Sequence, residues 1–76
     1  MKFELYTRDG CHLCDDAHQL LRSRGVEPTL TDIDTRPDLL TKYNTCVPVV
    51  VVDGKVRFRG RIDPVLLDRL LQEANR

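Results

Sequence analysis

Tryptophan is absent from this chain of 76 residues, and only two tyrosines and two phenylalanines supply aromatic rings. A surface that binds single-stranded nucleic acid by base stacking needs several exposed rings, so that class of protein is not supported. The chain also lacks an excess of charge, because 12 lysine and arginine residues balance 12 aspartate and glutamate residues. No general attraction to nucleic acid or to an anionic membrane surface is therefore expected.

Long hydrophobic runs are missing as well. No apolar segment approaches the roughly 18 residues that identify a membrane-spanning helix, and the first residues have the pattern of a strand instead of a signal peptide. We therefore expect a soluble, cytoplasmic protein. A chain of 76 residues can bury one small core, so residues 1–76 are predicted to form a single domain, which we expect to be a monomer.

Cysteine is scarce, and its number is odd. Of the three cysteines, Cys11 and Cys14 are too close in sequence to join distant parts of a fold. A small secreted protein held together by disulfides would need more of them. The composition therefore favours a reducing compartment, with a redox or metal-binding role for the pair.

The C-x-x-C stretch from Cys11 to Cys14 follows an apolar strand-like run and a break at Gly10, and it opens a helical pattern. The free N–H groups and the positive dipole end of a helix stabilise a thiolate, which lowers a cysteine pKa from about 8.5 towards the 3.5–7.5 range. Cys11 is therefore the predicted nucleophile, with a depressed pKa. Cys14 lies one helical turn later and further inside, which predicts a resolving thiol.

Hydrophobic periodicity and turn residues predict the order βαβαββα. The predicted strands are 2–7, 29–33, 47–52 and 55–59, and the predicted helices are 11–24, 35–43 and 64–74. The first two strands should be parallel and joined by a right-handed crossover, whereas Asp53-Gly54 predicts an antiparallel hairpin. The fold class is thus α/β, with a mixed four-stranded sheet flanked by helices.

Three local expectations concern the helices. The buried face of the first helix is predicted to contain the apolar residues Leu13, Ala17, Leu20 and Leu21. Thr35 and Asp38 have the spacing of a capping box for the second helix. Asp63, followed by a proline, is the predicted N-cap of the last helix, whose apolar stripe contains Leu66, Leu67, Leu70, Leu71 and Ala74.

Three features occur in a recognisable order: the C-x-x-C of Cys11 and Cys14, then Val47-Pro48 ahead of the third strand, then Gly60-x-x-Asp63 at the start of the last helix. Together they resemble the glutaredoxin branch of the thioredoxin superfamily, and most of all its short bacterial glutaredoxin-like proteins. The resemblance covers essentially the whole chain. It implies a thioredoxin-like fold and a thiol–disulfide oxidoreductase that acts on protein or low-molecular-weight disulfides.

The resemblance also implies roles for individual residues. Cys11 would attack the disulfide and Cys14 would resolve the mixed disulfide. Val47-Pro48 resembles the family's valine and cis-proline, so the backbone of Val47 would pair with an extended cysteinyl substrate in the manner of an added strand. Independently of the resemblance, the position of His12 between the cysteines predicts that it tunes the pair, because a protonated imidazole stabilises a neighbouring thiolate; the alternative is a plain exposed histidine.

Glutathione binding is implied at two further places. Arg8 occupies the position of a basic residue that holds a glutathione carboxylate in the family, and Gly60 and Asp63 match part of a turn that holds the rest of the molecule. The chain departs from this pattern by having Arg59 where the family has a first glycine. No bound cofactor is expected, and glutathione and thioredoxin reductase are the two candidate electron donors.

Two other classes of function remain open from the residues alone. Cys14 and His18 share a helix face, and Cys11 with Cys46 would complete four soft ligands for zinc or an iron–sulfur cluster. Against this, Cys46 is isolated and there is no second C-x-x-C, so Cys46 is better interpreted as a small buried hydrophobe or a third redox thiol. The other class is a binding module of the same fold without turnover.

Overall fold

The structure is a computed structural model that describes residues 2–44 and 46–74. Its strands are β1 (Phe3–Thr7), β2 (Thr29–Asp32), β3 (Val49–Val52) and β4 (Lys55–Arg59), and its α-helices are α1 (His12–Ser23), α2 (Pro37–Tyr43) and α3 (Pro64–Ala74). A short 3-10 helix, Ile33–Thr35, lies between β2 and α2. The predicted order βαβαββα is confirmed.

The four strands form one mixed sheet in the order β2-β1-β3-β4. Strand β1 pairs parallel with β2 and antiparallel with β3, and β3 pairs antiparallel with β4. The inner strands are β1 and β3, and because they are antiparallel, the C-terminal end of β1 lies beside the N-terminal end of β3. The loop that follows β1 carries the C-x-x-C stretch, and the loop that precedes β3 carries Val47-Pro48.

Both faces of the sheet are covered by hydrophobic clusters. Alternate side chains of β3 point to opposite faces and therefore belong to different clusters. One cluster, on the side of α1 and α3, contains Phe3, Leu5, Ala17, Leu21, Val50, Val52, Ile62 and Leu67. The other, on the side of the 3-10 helix and α2, contains Ile33, Tyr43, Val49 and Val51. Full burial of one such aliphatic side chain stabilises a fold by roughly 1.5–3 kcal/mol. This explains why β3 has valine at all four positions.

Two leucines predicted to be buried are exposed. Leu13 is 45% exposed and Leu66 is 50% exposed, so their placement on the buried helix faces is wrong. In α1 the inward position one turn before Ala17 belongs to Cys14, which is only 2% exposed. Adjacent helical residues point about 100° apart, so Leu13 must lie beside the buried stripe when Cys14 lies in it.

The predicted capping box is also wrong. The Thr35 hydroxyl donates a hydrogen bond to the Asp32 carbonyl at 2.7 Å, because Thr35 belongs to the 3-10 helix. Helix α2 instead starts after Arg36, which provides no side-chain capping bond, and Pro37 is its first residue. Within the described residues, no helix is both long and apolar enough to cross a bilayer.

Candidate active site

Cys11 is the N-cap residue of α1. Its backbone is extended (φ −93°, ψ 106°), and the Cys14 N–H donates a hydrogen bond to Cys11 Sγ at 3.1 Å. The Cys11 N–H donates to the Arg8 carbonyl at 3.2 Å, across a turn in which Gly10 has a φ of +76°. Glycine adopts this left-handed conformation without steric cost. A sulfur atom thus takes the place of the usual serine or aspartate oxygen at a helix start.

The two predicted redox cysteines are joined in a disulfide, and their Cα atoms are 5.2 Å apart. Cys11 is partly exposed, whereas Cys14 is 2% exposed. Only the first sulfur is therefore open to a molecule approaching from solvent. This asymmetry suits an attacking Cys11 and a resolving Cys14, although the two roles stay predictions.

The loop before β3 lies next to the turn after β4. The Val47-Pro48 peptide bond is cis, and Pro48 is buried. The Gly60 N–H donates to the Pro48 carbonyl at 2.7 Å and to the Cys46 carbonyl at 3.1 Å. Gly60 has a φ of +77°, which explains the glycine at this point of the turn. The structure thus brings together Val47, Pro48 and Gly60, and their substrate contacts remain predictions.

Asp63 begins α3, as predicted. Its Oδ1 accepts hydrogen bonds from the N–H groups of Val65, at 2.9 Å, and Leu66, at 3.4 Å. The N-cap prediction is confirmed. Its proposed contact with a glutathione amine stays a prediction, and any such ligand would share the carboxylate with the helix.

A groove of about 320 Å³ lies between the starts of α1 and α3. Leu13 and Leu20 from α1 line it, together with Gly60, Arg61 and Pro64 from the opposite side. This position accounts for the exposure of Leu13. A more polar cavity of about 370 Å³ lies on the other side of α1, where its lining includes Arg8, Asp9, Cys14, Asp15 and His18.

Arg8 is bound within the protein. Its Nε and Nη2 contact the two carboxylate oxygens of Asp34, each at 3.2 Å. Its Nη1 donates to the carbonyl and to the side-chain Oδ1 of Asn44, at 3.1 and 2.6 Å. The sequence analysis missed both partners, since they lie 26 and 36 positions further along the chain. The predicted contact of Arg8 with substrate remains a prediction.

Arg59 and Lys42 both contact the Tyr43 ring. The Arg59 guanidinium lies 5.7 Å from the centre of the Tyr43 ring, on which Lys42 Nζ also lies at 5.4 Å. Tyr6 packs against the same ring with centroids 5.5 Å apart, and burial, followed by the charge of Glu4, raises the pKa of Tyr6. The Tyr43 ring is thus contacted by two cationic side chains and by a second aromatic ring, whereas the sequence pattern predicted only that Tyr43 is buried.

His12, the first residue of α1, is exposed, and its tuning role is a prediction. His18 is half-buried on the same helix. Cys46 is half-buried, not fully buried as predicted, and packs against the second hydrophobic cluster. Within residues 2–44 and 46–74, no three His, Cys, Asp or Glu side chains are grouped as a metal site would require. The metal-binding interpretation therefore gains no support from the geometry.

Comparison with known proteins places this geometry in a family. Residues 2–72 match the family model described as glutaredoxin-like domain (DUF836). The X-ray structure of target protein XcR50 from X. campestris is 30% identical, with a TM-score of 0.80 over 93% of this chain and 96% of that one. No match was found among curated proteins.

Two further solved structures share the fold. The glutaredoxin-like protein NrdH-redoxin from Escherichia coli is 23% identical with a TM-score of 0.73, over 92% of this chain and 95% of that one. Thioredoxin 1 from Thermosipho africanus is 17% identical with a TM-score of 0.61, over the full length of both chains. The matched family and the C-x-x-C pair of Cys11 and Cys14 support a redox function. This chain belongs to the glutaredoxin-like domain family and has the thioredoxin-like fold.

Proposed function

We propose that the protein is a glutaredoxin-like thiol–disulfide oxidoreductase that uses Cys11 and Cys14. The hydrogen bond from the Cys14 N–H to Cys11 Sγ carries the proposal. An N–H bond and a helix N-terminus both favour the charged sulfur, and the thiolate is the nucleophile in disulfide exchange. The exposed sulfur is thus the one that the backbone stabilises.

The reaction proceeds in two exchanges. Cys11 thiolate attacks one sulfur of the target disulfide, and the other sulfur leaves with the electron pair of the broken bond and takes up a proton. Cys14 then loses its proton and attacks Cys11 Sγ, which releases the second target thiol. Two electrons pass to the target, and the protein keeps the Cys11–Cys14 disulfide present in the structure.

The substrates are protein or low-molecular-weight disulfides. An extended cysteinyl segment would lie along the loop before β3 and pair with the backbone of Val47, with Pro48 beneath it and Gly60 at its side. His12 would adjust the reduction potential through its charge. We place this activity in the cytoplasm, in a monomer that serves electron transport and redox homeostasis.

The electron donor is either glutathione or thioredoxin reductase. The structure of NrdH-redoxin is described as the basis for a thioredoxin-like activity profile in a glutaredoxin-like protein. That description makes thioredoxin reductase a donor to test alongside glutathione. The family resemblance implies Arg8, Gly60 and Asp63 as contacts of glutathione, and of the three Arg8 is already paired with Asp34 and Asn44.

The test begins with the oxidised protein and a disulfide substrate. One reaction contains glutathione with glutathione reductase and NADPH, and the other contains thioredoxin reductase with NADPH. We expect NADPH consumption with at least one donor, and we expect Cys11 to be alkylated faster than Cys14 and Cys46 in the reduced protein. Failure with both donors, combined with no reduction of insulin by the chemically reduced protein, would overturn the proposal. Equal alkylation rates would contradict Cys11 as the nucleophile.

A further inference from the structure

Arg8 uses four of its five guanidinium N–H groups on internal partners. All three guanidinium nitrogens are engaged: Nε and Nη2 by Asp34, at 3.2 Å each, and Nη1 by both oxygens of Asn44, at 3.1 and 2.6 Å. The two contacts with Asp34 form the parallel fork that arginine and carboxylate prefer. The Arg8 side chain is 37% exposed, so it is near the surface without being free in solvent.

The partners of Arg8 are themselves fixed. The Asp34 N–H donates to Asp32 Oδ1 at 2.9 Å, which holds Asp34 on the 3-10 helix. Asn44 ends α2, two positions before Cys46, and the Cys46 carbonyl accepts the Gly60 N–H at 3.1 Å. The carboxylate and the amide are thus presented to Arg8 by structured backbone.

Arg8 also holds Cys11 through its main chain, because its carbonyl accepts the Cys11 N–H at 3.2 Å. One residue therefore contacts the nucleophile's loop through its backbone and the end of α2 through its side chain. The chain segment after Asn44 leads to Val47-Pro48, where a substrate backbone would lie. Arg8 thereby connects the Cys11 loop with the segment that leads to Val47-Pro48. A bound polypeptide would have to contact both segments at once.

We propose that Arg8 is a positioning residue that ties the Cys11 loop to the end of α2 for polypeptide substrates, and that it does not hold a glutathione carboxylate. The inference rests on the proposed function and deepens it. A glutathione carboxylate at Arg8 would have to share the guanidinium with the Asp34 carboxylate and would face its negative charge. Two like charges at one cation disfavour that arrangement.

Four variants test the proposal: Arg8→Gln, Arg8→Lys, Asp34→Asn and the double variant Arg8→Gln/Asp34→Asn. Each is assayed for KM and kcat with insulin disulfides, and oxidised forms are assayed for the rate of reduction by glutathione. Arg24→Gln is the matched control, because Arg24 forms a salt bridge of the same kind with Asp68 at the far end of α1. Urea midpoints verify that each variant is folded.

The expected result is a rise in KM for insulin of about two- to fivefold in each single variant, the size that an exposed salt bridge commonly carries. The double variant should be no worse than either single one, and kcat and the Cys11 alkylation rate should stay within about twofold. Arg8→Lys should resemble Arg8→Gln, because an ammonium cannot form the fork. Reduction by glutathione should be unchanged in Arg8→Gln and Arg24→Gln should match the parent in every assay.

Several results would overturn the proposal. If Arg8→Gln slows reduction by glutathione at least fivefold while Arg8→Lys and Asp34→Asn do not, Arg8 is a glutathione ligand. Additive effects of Arg8→Gln and Asp34→Asn on KM, or no effect of either, would show that the contact does not position the site. The parent protein's exchange of insulin disulfides is measured in the same series, so loss of the proposed function would be seen separately.

Discussion

Helices α1 and α3 both begin at a residue whose side chain caps the helix, but the acceptor atoms differ. At α3, Asp63 Oδ1 accepts from the Val65 N–H at 2.9 Å, and at α1, Cys11 Sγ accepts from the Cys14 N–H at 3.1 Å. A carboxylate takes no part in thiol oxidation, so the α3 cap is the same in every redox state. A sulfur is charged only as a thiolate, so the strength of the α1 cap depends on the redox state.

The difference shows how one local structure serves two purposes. An anion at a helix N-terminus typically gains 0.3–1 kcal/mol from the dipole. At α3 this gain stabilises only the fold. At α1 the same gain is present in the reduced thiolate and absent in the disulfide, so it contributes to the reactivity of Cys11. Helix capping at α1 is therefore part of the proposed chemistry.

The largest expected effect comes from replacing the sulfur at α1 by an oxygen. Cys11→Ser keeps a good N-cap acceptor, so its stability should be close to that of the reduced parent, which also has no Cys11–Cys14 disulfide, yet all disulfide exchange should be lost. Cys14→Ser keeps the nucleophile and should stop after the first exchange, with one substrate thiol attached to Cys11. Insulin reduction and intact-mass measurement of the trapped adduct check both results.

Cys46→Ser is the matched control for this pair, since it removes a thiol without touching the C-x-x-C stretch. It should retain most of the activity. Residual turnover in Cys11→Ser above that of buffer would mean that another cysteine acts as the nucleophile. The cap at the start of α1 would then have no connection with the reactivity of the nucleophile.

A smaller effect is expected at the carboxylate cap. Asp63→Ala should lower the free energy of unfolding by about 1 kcal/mol, the typical value for an N-cap, because two N–H groups lose their acceptor. Asp63→Asn should cost only a few tenths of that, since asparagine caps equally well. Urea unfolding of the disulfide form measures both. Reduction of insulin by the chemically reduced protein should stay near the parent rate in Asp63→Asn.

The result also separates two roles of Asp63. If Asp63→Asn keeps its stability but loses the use of glutathione, the carboxylate binds the donor as the family resemblance implies. If Asp63→Ala is as stable as the parent, the hydrogen bonds to Val65 and Leu66 contribute nothing measurable. The contribution of the Asp63 cap to stability could then not be used to judge that of the Cys11 cap.

The sequence predicted those features that depend on short-range pattern. Residues close in sequence decide the C-x-x-C turn, the Asp63 cap and the valine run of β3, and each was found where the pattern put it. Leu13 was misplaced because hydrophobicity alone ranks leucine above cysteine, although Cys14 is the residue that α1 buries. Local periodicity does not say which of two adjacent apolar residues faces the core.

The contacts of Arg8 and Arg59 could not be predicted in the same way. The partners Asp34 and Asn44 reach Arg8 only because β1 and β2 are parallel neighbours and α2 ends beside them. Arg59, which contacts the Tyr43 ring, lies in β4, and β3 separates that strand from the helix α2 that contains Tyr43. Such pairs result from the assembled sheet, and no spacing rule marks them in advance.

The smallest expected effect concerns the start of α2, the remaining helix, where no side chain caps the backbone. There the hydrogen bond from Arg36 to Asp38, the largest cause, lowers the pKa of Asp38 below its usual 3.8. A carboxyl group whose folded pKa is depressed stabilises the fold above its unfolded pKa and loses that contribution as pH falls. Asp38→Asn should therefore be slightly less stable than the parent at neutral pH, and the two should converge as pH falls below about 4.

Urea midpoints at several pH values between neutrality and about 2.5 measure this convergence. In an Arg36→Gln background the difference between Asp38 and asparagine at neutral pH should shrink, because the donor that lowers the pKa is gone. A constant difference across the whole range would assign the effect of Asp38 to helix propensity instead of charge. Fully exposed, Asp38 is screened by solvent, so its effect should rank below that of Asp63 even though both carboxylates belong to helix starts.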